Sequence, residues 1–516
     1  MDSGEYGRHY VKAHWKSCRR SIGSALLLFD RDEKLEAKKE ENIPMVEFIA
    51  VVVIRISNWL YRWSNPKCNG KLPPGTMGFP IIGETCDFFK PSEFNDIPPF
   101  LKTRMLRYGP LFRTNILGSK TVISTDPDVN FQIFRQENTC FESGYPDIFY
   151  KVFGRDNLLM DAVNLHKYVQ KITTELLGTE GLKRTMIGVM DRAVRDHFIL
   201  KASQGSFDVR KEVDSLVLAY MTPKLISSLK SETQSKLMDS LNDMSLDWFQ
   251  SIFSLSTWKS LIKVMKSRGE ALQVMKDALR MRKESREKQG DFLNTMLEEL
   301  EKEDSLFDQG SAIDLTFLLS FVSREGTSRC TALVVKFISK NPKVLAELKR
   351  EHKAIVENRK DKEAGLSWEE YRHNMTFTNM VINESLRFTN STPLLFRKAV
   401  NDVGIKGYTI PAGWIVAVAP AAVHYDPEIY ENPFEFNPWR WKGKEMVWGS
   451  KTFMAFGGGV RLCVGAEFAR LQMAIYIHHL VTYYDFSLVQ DCEVTRTPFL
   501  QFTKGLLINI SKSSTN

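Results

Sequence analysis

The residues in this chain most able to do chemistry surround a cysteine that follows a run of glycines. In FMAFGGGVRLCVGAEFARLQMAIYIHHLV, Cys463 ends a glycine-rich irregular stretch and stands just before an amphipathic helix. At a helix N-terminus the macrodipole and the free backbone N–H groups favour the thiolate. Gly457, Gly458, Gly459 and Gly465 let the backbone approach a flat ligand or turn N–H groups toward the sulfur. Arg461 is placed to bind an anionic group on the same ligand, with Phe456 near its ring. A backbone-bonded thiolate beneath a planar ring is what a haem iron needs as an electron-donating axial ligand.

A lone cysteine beside a glycine turn is usually an inert core residue, and the surrounding pattern decides against that here. A cysteine-phosphatase loop places its arginine after the nucleophile, whereas Arg461 precedes Cys463. The sequence Phe456-x-x-Gly459-x-Arg461-x-Cys463-x-Gly465 resembles the haem-binding loop of the cytochrome P-450 monooxygenases. Glu384-x-x-Arg387, followed about fifty residues later by Arg440 in FNPWRW, resembles two further motifs of that family in the same order. The stretch HYDPEIYENPFEF and a proline-rich hinge before residue 84 also match in order and spacing, so the resemblance runs from Lys71 to Ile510. It implies haem b as cofactor and a buried, structural charge network of Glu384, Arg387 and Arg440 behind it. It further implies Arg397 and His166 as partners of the haem propionates, with Arg461, Phe456 and Gly457 also in contact. Where the family often has an arginine after His166, this chain has Gln170, with Lys171 beside it.

One element departs from the family pattern. The apolar stretch Leu315–Ile338 carries a polar island, FVSREGTSRC, that would be costly in a core helix unless it lines a wet groove. Aligned to the family's acid–alcohol pair, the acid falls on Glu325 and the alcohol position on Gly326, with Thr327 next. Adjacent helical residues differ by about 100° in direction. A local bulge around Gly326 is therefore expected to turn Thr327 inward, so that Glu325 and Thr327 act together in proton delivery. Arg324 is expected on the outer face of that helix.

The elements that must hold these residues follow from composition and periodicity. The chain has 516 residues, 43% hydrophobic and 11% aromatic, enough apolar surface for a large core. Its net charge of +8 arises from 70 basic and 62 acidic side chains, which is no nucleic-acid signature. Its seven cysteines form no CxxC pair, and no Rossmann or Walker glycine motif is present. Helical periodicity dominates residues 180–390, with short strand-like runs at 111–123, 394–400, 407–411, 415–419 and 499–510. The expected class is mainly α with small sheets (α+β), a single catalytic domain of the P-450 fold. Residues 1–44 read as an atypical charged extension or gene-model artefact before a native start at Met45. Residues 45–63 read as a membrane anchor, 64–83 as a proline-rich hinge and 84–516 as the haem-thiolate domain.

Within the family, PPGTMGFPIIGET and HLVTYYDF resemble plant enzymes that act on sterols, brassinosteroids and triterpenoids. The expected activity is monooxygenation of a hydrophobic isoprenoid, using dioxygen and electrons from NADPH through a membrane-bound reductase. The expected setting is a monomer on the endoplasmic reticulum, facing the cytosol, with no nucleic-acid partner. The expected substrate-lining stretches are residues 141–160, 247–266, 317–326 and 392–397, rich in Phe, Leu, Ile and Trp. Two alternatives stand beside this reading: a haem-thiolate isomerase or dehydratase that needs no oxygen activation, and a haem-binding protein impaired in turnover.

Overall fold

The computed structural model describes residues 45–146, 149–150, 153, 163–227, 229–244, 257–285, 287–444 and 447–513. The expectations for residues 1–44, for most of 147–160 and for 247–256 fall outside the described residues. The chain divides into one unit ending at Asn65 and another beginning at Pro66. In the first, α1 (Met45–Ser64) is a 20-residue helix whose Phe48, Ile49 and Ile54 are exposed. Among the described residues no helix is long and apolar enough to cross a membrane.

The second unit is built on helices α2 (Pro127–Arg135), α3 (Val163–Leu177), α4 (Val209–Leu225), α5 (Ser231–Asn242), α6 (Gln309–Lys340), α7 (Pro342–Glu357), α8 (Thr376–Thr389) and α9 (Ala466–Tyr483). The 32-residue α6 is their axis, with α4 along one side and α9 along another. Asp308 starts α6 by accepting a 2.7 Å bond from the Ser311 N–H, and Pro342 immediately follows its C-cap Asn341. A helix apolar on nearly every face must be buried on nearly every face, and Leu315 through Ile338 are almost all buried. Burial of Phe317, Phe321 and Leu333 is worth about 1.5–3 kcal/mol for each side chain.

Five strands form the main sheet: β1 (Leu111–Ile116), β2 (Ser119–Ser124), β3 (Phe141–Ser143), β4 (Leu395–Ala399) and β5 (Ile415–Val418). Their order is β1-β2-β5-β4-β3, with β2 and β5 parallel and the other neighbours antiparallel. The register sets Ser143 of β3 opposite Arg397 of β4. Beyond α9, β6 (Tyr484–Gln490) pairs with β9 (Leu507–Lys512), and β7 (Val494–Thr497) with β8 (Phe499–Phe502). The mainly helical reading and the strand positions read from sequence are therefore found, with the 111–123 run resolved into a hairpin.

Candidate active site

The cysteine loop is held from two sides. Beneath it, Asp126 caps α2 by accepting 3.0 Å bonds from the N–H groups of Asp128 and Val129, and Pro127 opens the helix. The far end of α2 presses Phe134 onto the loop. A Cβ at Gly458 would stand 2.6 Å from the Phe134 ring, and one at Gly459 would stand 2.4 Å from the Phe134 carbonyl oxygen. A close protein contact thus requires both glycines, and Gly458 also lines the cavity beside the thiol. A Cβ at Gly457 (φ 78°) would make only ordinary contacts, 3.9 Å from the Arg461 carbonyl oxygen and the Leu395 side chain, so its left-handed backbone is what requires glycine there. The loop then closes with Cys463 N–H donating to the Phe456 carbonyl at 3.0 Å, and α9 begins at Ala466.

Behind the loop lies the network expected of Glu384, Arg387 and Arg440. Glu384 Oε1 accepts from Arg387 Nη2 at 2.9 Å and from Arg440 Nε at 3.0 Å, while Oε2 accepts from Arg387 Nε and Trp441 Nε1, each at 3.0 Å. Arg387 also donates to the carbonyls of His424 (2.6 Å) and Pro433 (2.7 Å), which fixes the 424–440 segment on α8. Every lone-pair direction of the buried carboxylate is used, as a buried charge requires. Trp441 and His424 were not picked out from sequence as parts of this device. His424 Nδ1 meets Asn390 Oδ1 at 2.7 Å, and its Nε2 accepts the Met454 N–H at 3.1 Å, at the start of the cysteine loop. Burial, then the nearby Arg387, pushes the His424 imidazolium down to about 3 and keeps the ring neutral.

A cavity of about 420 Å³ opens between α3, α6, β4 and the loop. Leu315, Leu318, Leu319, Val322, Gly326 and Cys330 of α6 line it, at the three- and four-residue spacing of one helical face. Ser323 and Thr327 lie on the same wall. The helix runs through Gly326 without the expected bulge, yet Thr327 reaches the cavity. The explanation lies in the phase of the whole helix, whose cavity face already includes both 326 and 327. Glu325 does not share that wall. Arg329 Nε donates to its Oε1 at 3.1 Å, and Arg329 also donates to the Leu500 carbonyl of β8. Arg324, expected on the outer face, is buried at 1% exposure. It pairs with Asp214 of α4 and donates to the carbonyls of Leu241 and, at 2.8 Å, Met244, because α4 and the end of α5 cover that side.

The remaining predicted residues meet on the cavity wall. Arg397 from β4, Arg461 and Phe456 from the loop, and His166 from α3 all line it. The Phe456 ring meets Trp448 edge-on, with centroids 5.0 Å apart. His166 is buried and neither ring nitrogen has a well-aligned hydrogen-bond partner; burial, then Arg461, lowers it to about 4, only partly opposed by Glu137 and the Val460 backbone. Gln170 lines the cavity and donates to the Leu462 carbonyl at 3.4 Å, whereas Lys171 is exposed. Cys463 lies deep in the chain with its accessible surface on the cavity wall. Burial raises its thiol, while the Gly465 N–H works in the opposite direction. A larger open cleft of about 910 Å³ shares only Tyr145 and Arg461 with this cavity and does not contain the thiol.

This donor set fits haem. A soft thiol with a backbone N–H beside it, two guanidinium side chains and a histidine whose ring nitrogens have no well-aligned partner share one largely apolar chamber. The sequence profile described as Cytochrome P-450 matches residues 73–513. Cytochrome P-450 708A2 of Arabidopsis thaliana is 60% identical over 465 residues, which cover 90% of this chain and 98% of that protein. Beta-amyrin 16-alpha-hydroxylase CYP87D16 of Maesa lanceolata is 34% identical over 469 residues, covering 90% and 98%. The fold is similar to that of a retinoic-acid-bound cyanobacterial CYP120A1, with a TM-score of 0.74 and 21% identity over 86% of this chain and 100% of that one. A helical body with small sheets around a chamber that suits haem, matched along most of its length by these relatives, makes the chain a member of the cytochrome P-450 family, a haem-dependent monooxygenase.

Proposed function

We propose that this enzyme hydroxylates a hydrophobic isoprenoid, a triterpene or sterol, with electrons from NADPH passed through a membrane-bound reductase. The observation that carries the reading is the apolar α6 face, Leu315, Leu318, Leu319 and Val322, on the chamber that also contains the Cys463 thiol. Four aliphatic side chains at helical spacing suit a rigid hydrocarbon and offer little to a polar substrate. The name of the Maesa relative, a beta-amyrin hydroxylase, supports the same class.

In this reading Cys463 holds the haem iron, and Arg397, Arg461 and His166 hold its carboxylates beside Phe456 and Gly457. Glu384, Arg387 and Arg440 are structural. When bound, haem supplies activation of dioxygen and oxidation of a C–H bond. The chain contributes a thiolate on the wall of an apolar chamber, fixed orientation and a route for protons. Thr327 offers a hydroxyl on the chamber wall, and Glu325 stores charge behind it, balanced by Arg329. The 64–83 hinge joins the domain to α1, which acts as an interfacial anchor on the endoplasmic reticulum with the domain toward the cytosol. Exposed apolar side chains and Trp59 on a helix that also carries Arg55 and Arg62 support that placement. The enzyme acts as a monomer, and residues 1–44 stand outside the catalytic chain.

Gly326 at the expected alcohol position favours one second reading, a haem-thiolate isomerase or dehydratase that needs no proton relay. Co-expression with a plant reductase and a panel of triterpene synthases separates the two. Products one oxygen heavier, formed only with NADPH and reductase, are expected; rearranged or dehydrated products formed without either favour the second reading.

A further inference from the structure

Glu137 is absent from every motif read in the sequence, and in the structure it stands behind the two cavity arginines. Its side chain is fully buried. Oε2 accepts from Arg397 Nε at 2.7 Å, and Oε1 accepts from Arg461 Nε. Arg397 and Arg461 both line the chamber, while Glu137 does not. One carboxylate therefore holds two guanidinium groups, one from β4 and one from the cysteine loop, by the same nitrogen of each.

The surrounding backbone is built to keep this arrangement. Glu137 follows directly on the C-cap of α2, and its bridge to Phe141 leads into β3. The β3–β4 register puts Ser143 opposite Arg397, and the next residue, Gly144, is so close that a Cβ there would stand 2.5 Å from the Arg397 carbonyl carbon. Arg397 Nη1 is also bonded to the Phe396 carbonyl at 2.9 Å. Three separate segments thus converge on one buried anion.

Two buried guanidinium groups close together repel each other unless an anion lies between them. We propose that Glu137 is a positioning residue for haem: it holds Arg397 and Arg461 side by side so that both meet the haem carboxylates, and its negative charge contributes to the potential of the bound iron. The inference rests on the reading above that these two arginines hold those carboxylates. Glutamine in this place preserves shape but cannot accept from both arginines, since its amide NH2 faces one of them. Aspartate keeps the charge on a shorter stem. Removing a fixed negative charge near the iron raises its reduction potential, because the oxidised form carries the greater positive charge.

The test is made on the full-length enzyme in detergent. Haem release is followed by transfer to excess apomyoglobin, and the ferric/ferrous potential by spectroelectrochemical titration, for Glu137→Gln, Glu137→Asp, Arg397→Gln and Arg461→Gln. Expected are haem release about tenfold faster in Glu137→Gln with a potential moved upward, and an intermediate release rate in Glu137→Asp. Wild-type release and potential in a folded Glu137→Gln overturn the inference. If Glu137→Gln does not fold, Glu137→Asp decides, with release several-fold faster than wild type in support and an unchanged rate against. Wild-type haem release in both arginine variants overturns instead the underlying reading of the two arginines.

Discussion

The carboxylate of Glu325 is held by Arg329, one turn further along the same helix, and Thr327 stands on the chamber wall without it. The acid and the alcohol that the sequence set close together are thus divided between two sides of α6. Direct proton passage between them needs a carrier, and Gly326, with nothing within 4 Å of a Cβ placed there, leaves open space on the wall.

Thr327→Ala is expected to lower product formed per NADPH several-fold, with the balance appearing as hydrogen peroxide, while substrate binding stays near wild type. Glu325→Gln should lower coupling less than it lowers stability, because the buried Arg329 then lacks its anion; breaking such a pair costs about 3–5 kcal/mol. Coupling ratios and thermal denaturation check both, and wild-type coupling in Thr327→Ala contradicts the assignment.

The glycines of the site divide into two kinds, and substitution should separate them. Gly326→Ala meets no neighbour and replaces a mid-helix glycine, so it should stabilise the fold by about 0.5–1 kcal/mol. Gly459→Ala meets the Phe134 carbonyl at 2.4 Å on a backbone at φ 67°, and should lose haem and stability together. Denaturation midpoints and haem content per protein distinguish the outcomes.

Stability should fall as the medium is acidified, and His424 is one named cause. Its folded value of about 3 lies below the ordinary 6.5, so the unfolded chain takes up the proton first. The contribution is complete above about pH 6.5 and is lost at about 1.4 kcal/mol per pH unit as the pH falls toward 3. His352, lowered to about 3 by burial, acts in the same sense, whereas Asp214 and Glu351, raised by burial, act against it. The comparison of variants is therefore the measurement: His424→Gln should have a flatter midpoint-against-pH curve between 7 and 5 than wild type. Parallel curves contradict the assignment.

Much of this site could be read from the sequence because its determinants are local. The cysteine loop and Glu384-x-x-Arg387 each lie within a few consecutive residues, and the structure gathers their predicted partners as expected. What stayed hidden depends on distant packing. Arg324 looked like a surface charge until α4 and the end of α5 covered it. Glu137 and His424 become informative only when chain segments far apart in sequence meet, 260 residues apart in the case of Glu137 and Arg397. Thr327 shares the cavity face of α6 with Gly326 because that face is broad enough for both, a breadth set by the packing around the helix and not by its local sequence.

The central proposal, that the Cys463 thiolate would hold the haem iron in this chamber, is tested most directly by the absorption of the reduced protein under carbon monoxide. A red-shifted Soret band is predicted for the wild type, together with its loss in a folded, haem-loaded Cys463→His variant. A wild-type protein that is folded and haem-loaded yet lacks the shift, or a Cys463→His variant that keeps it, would contradict the account.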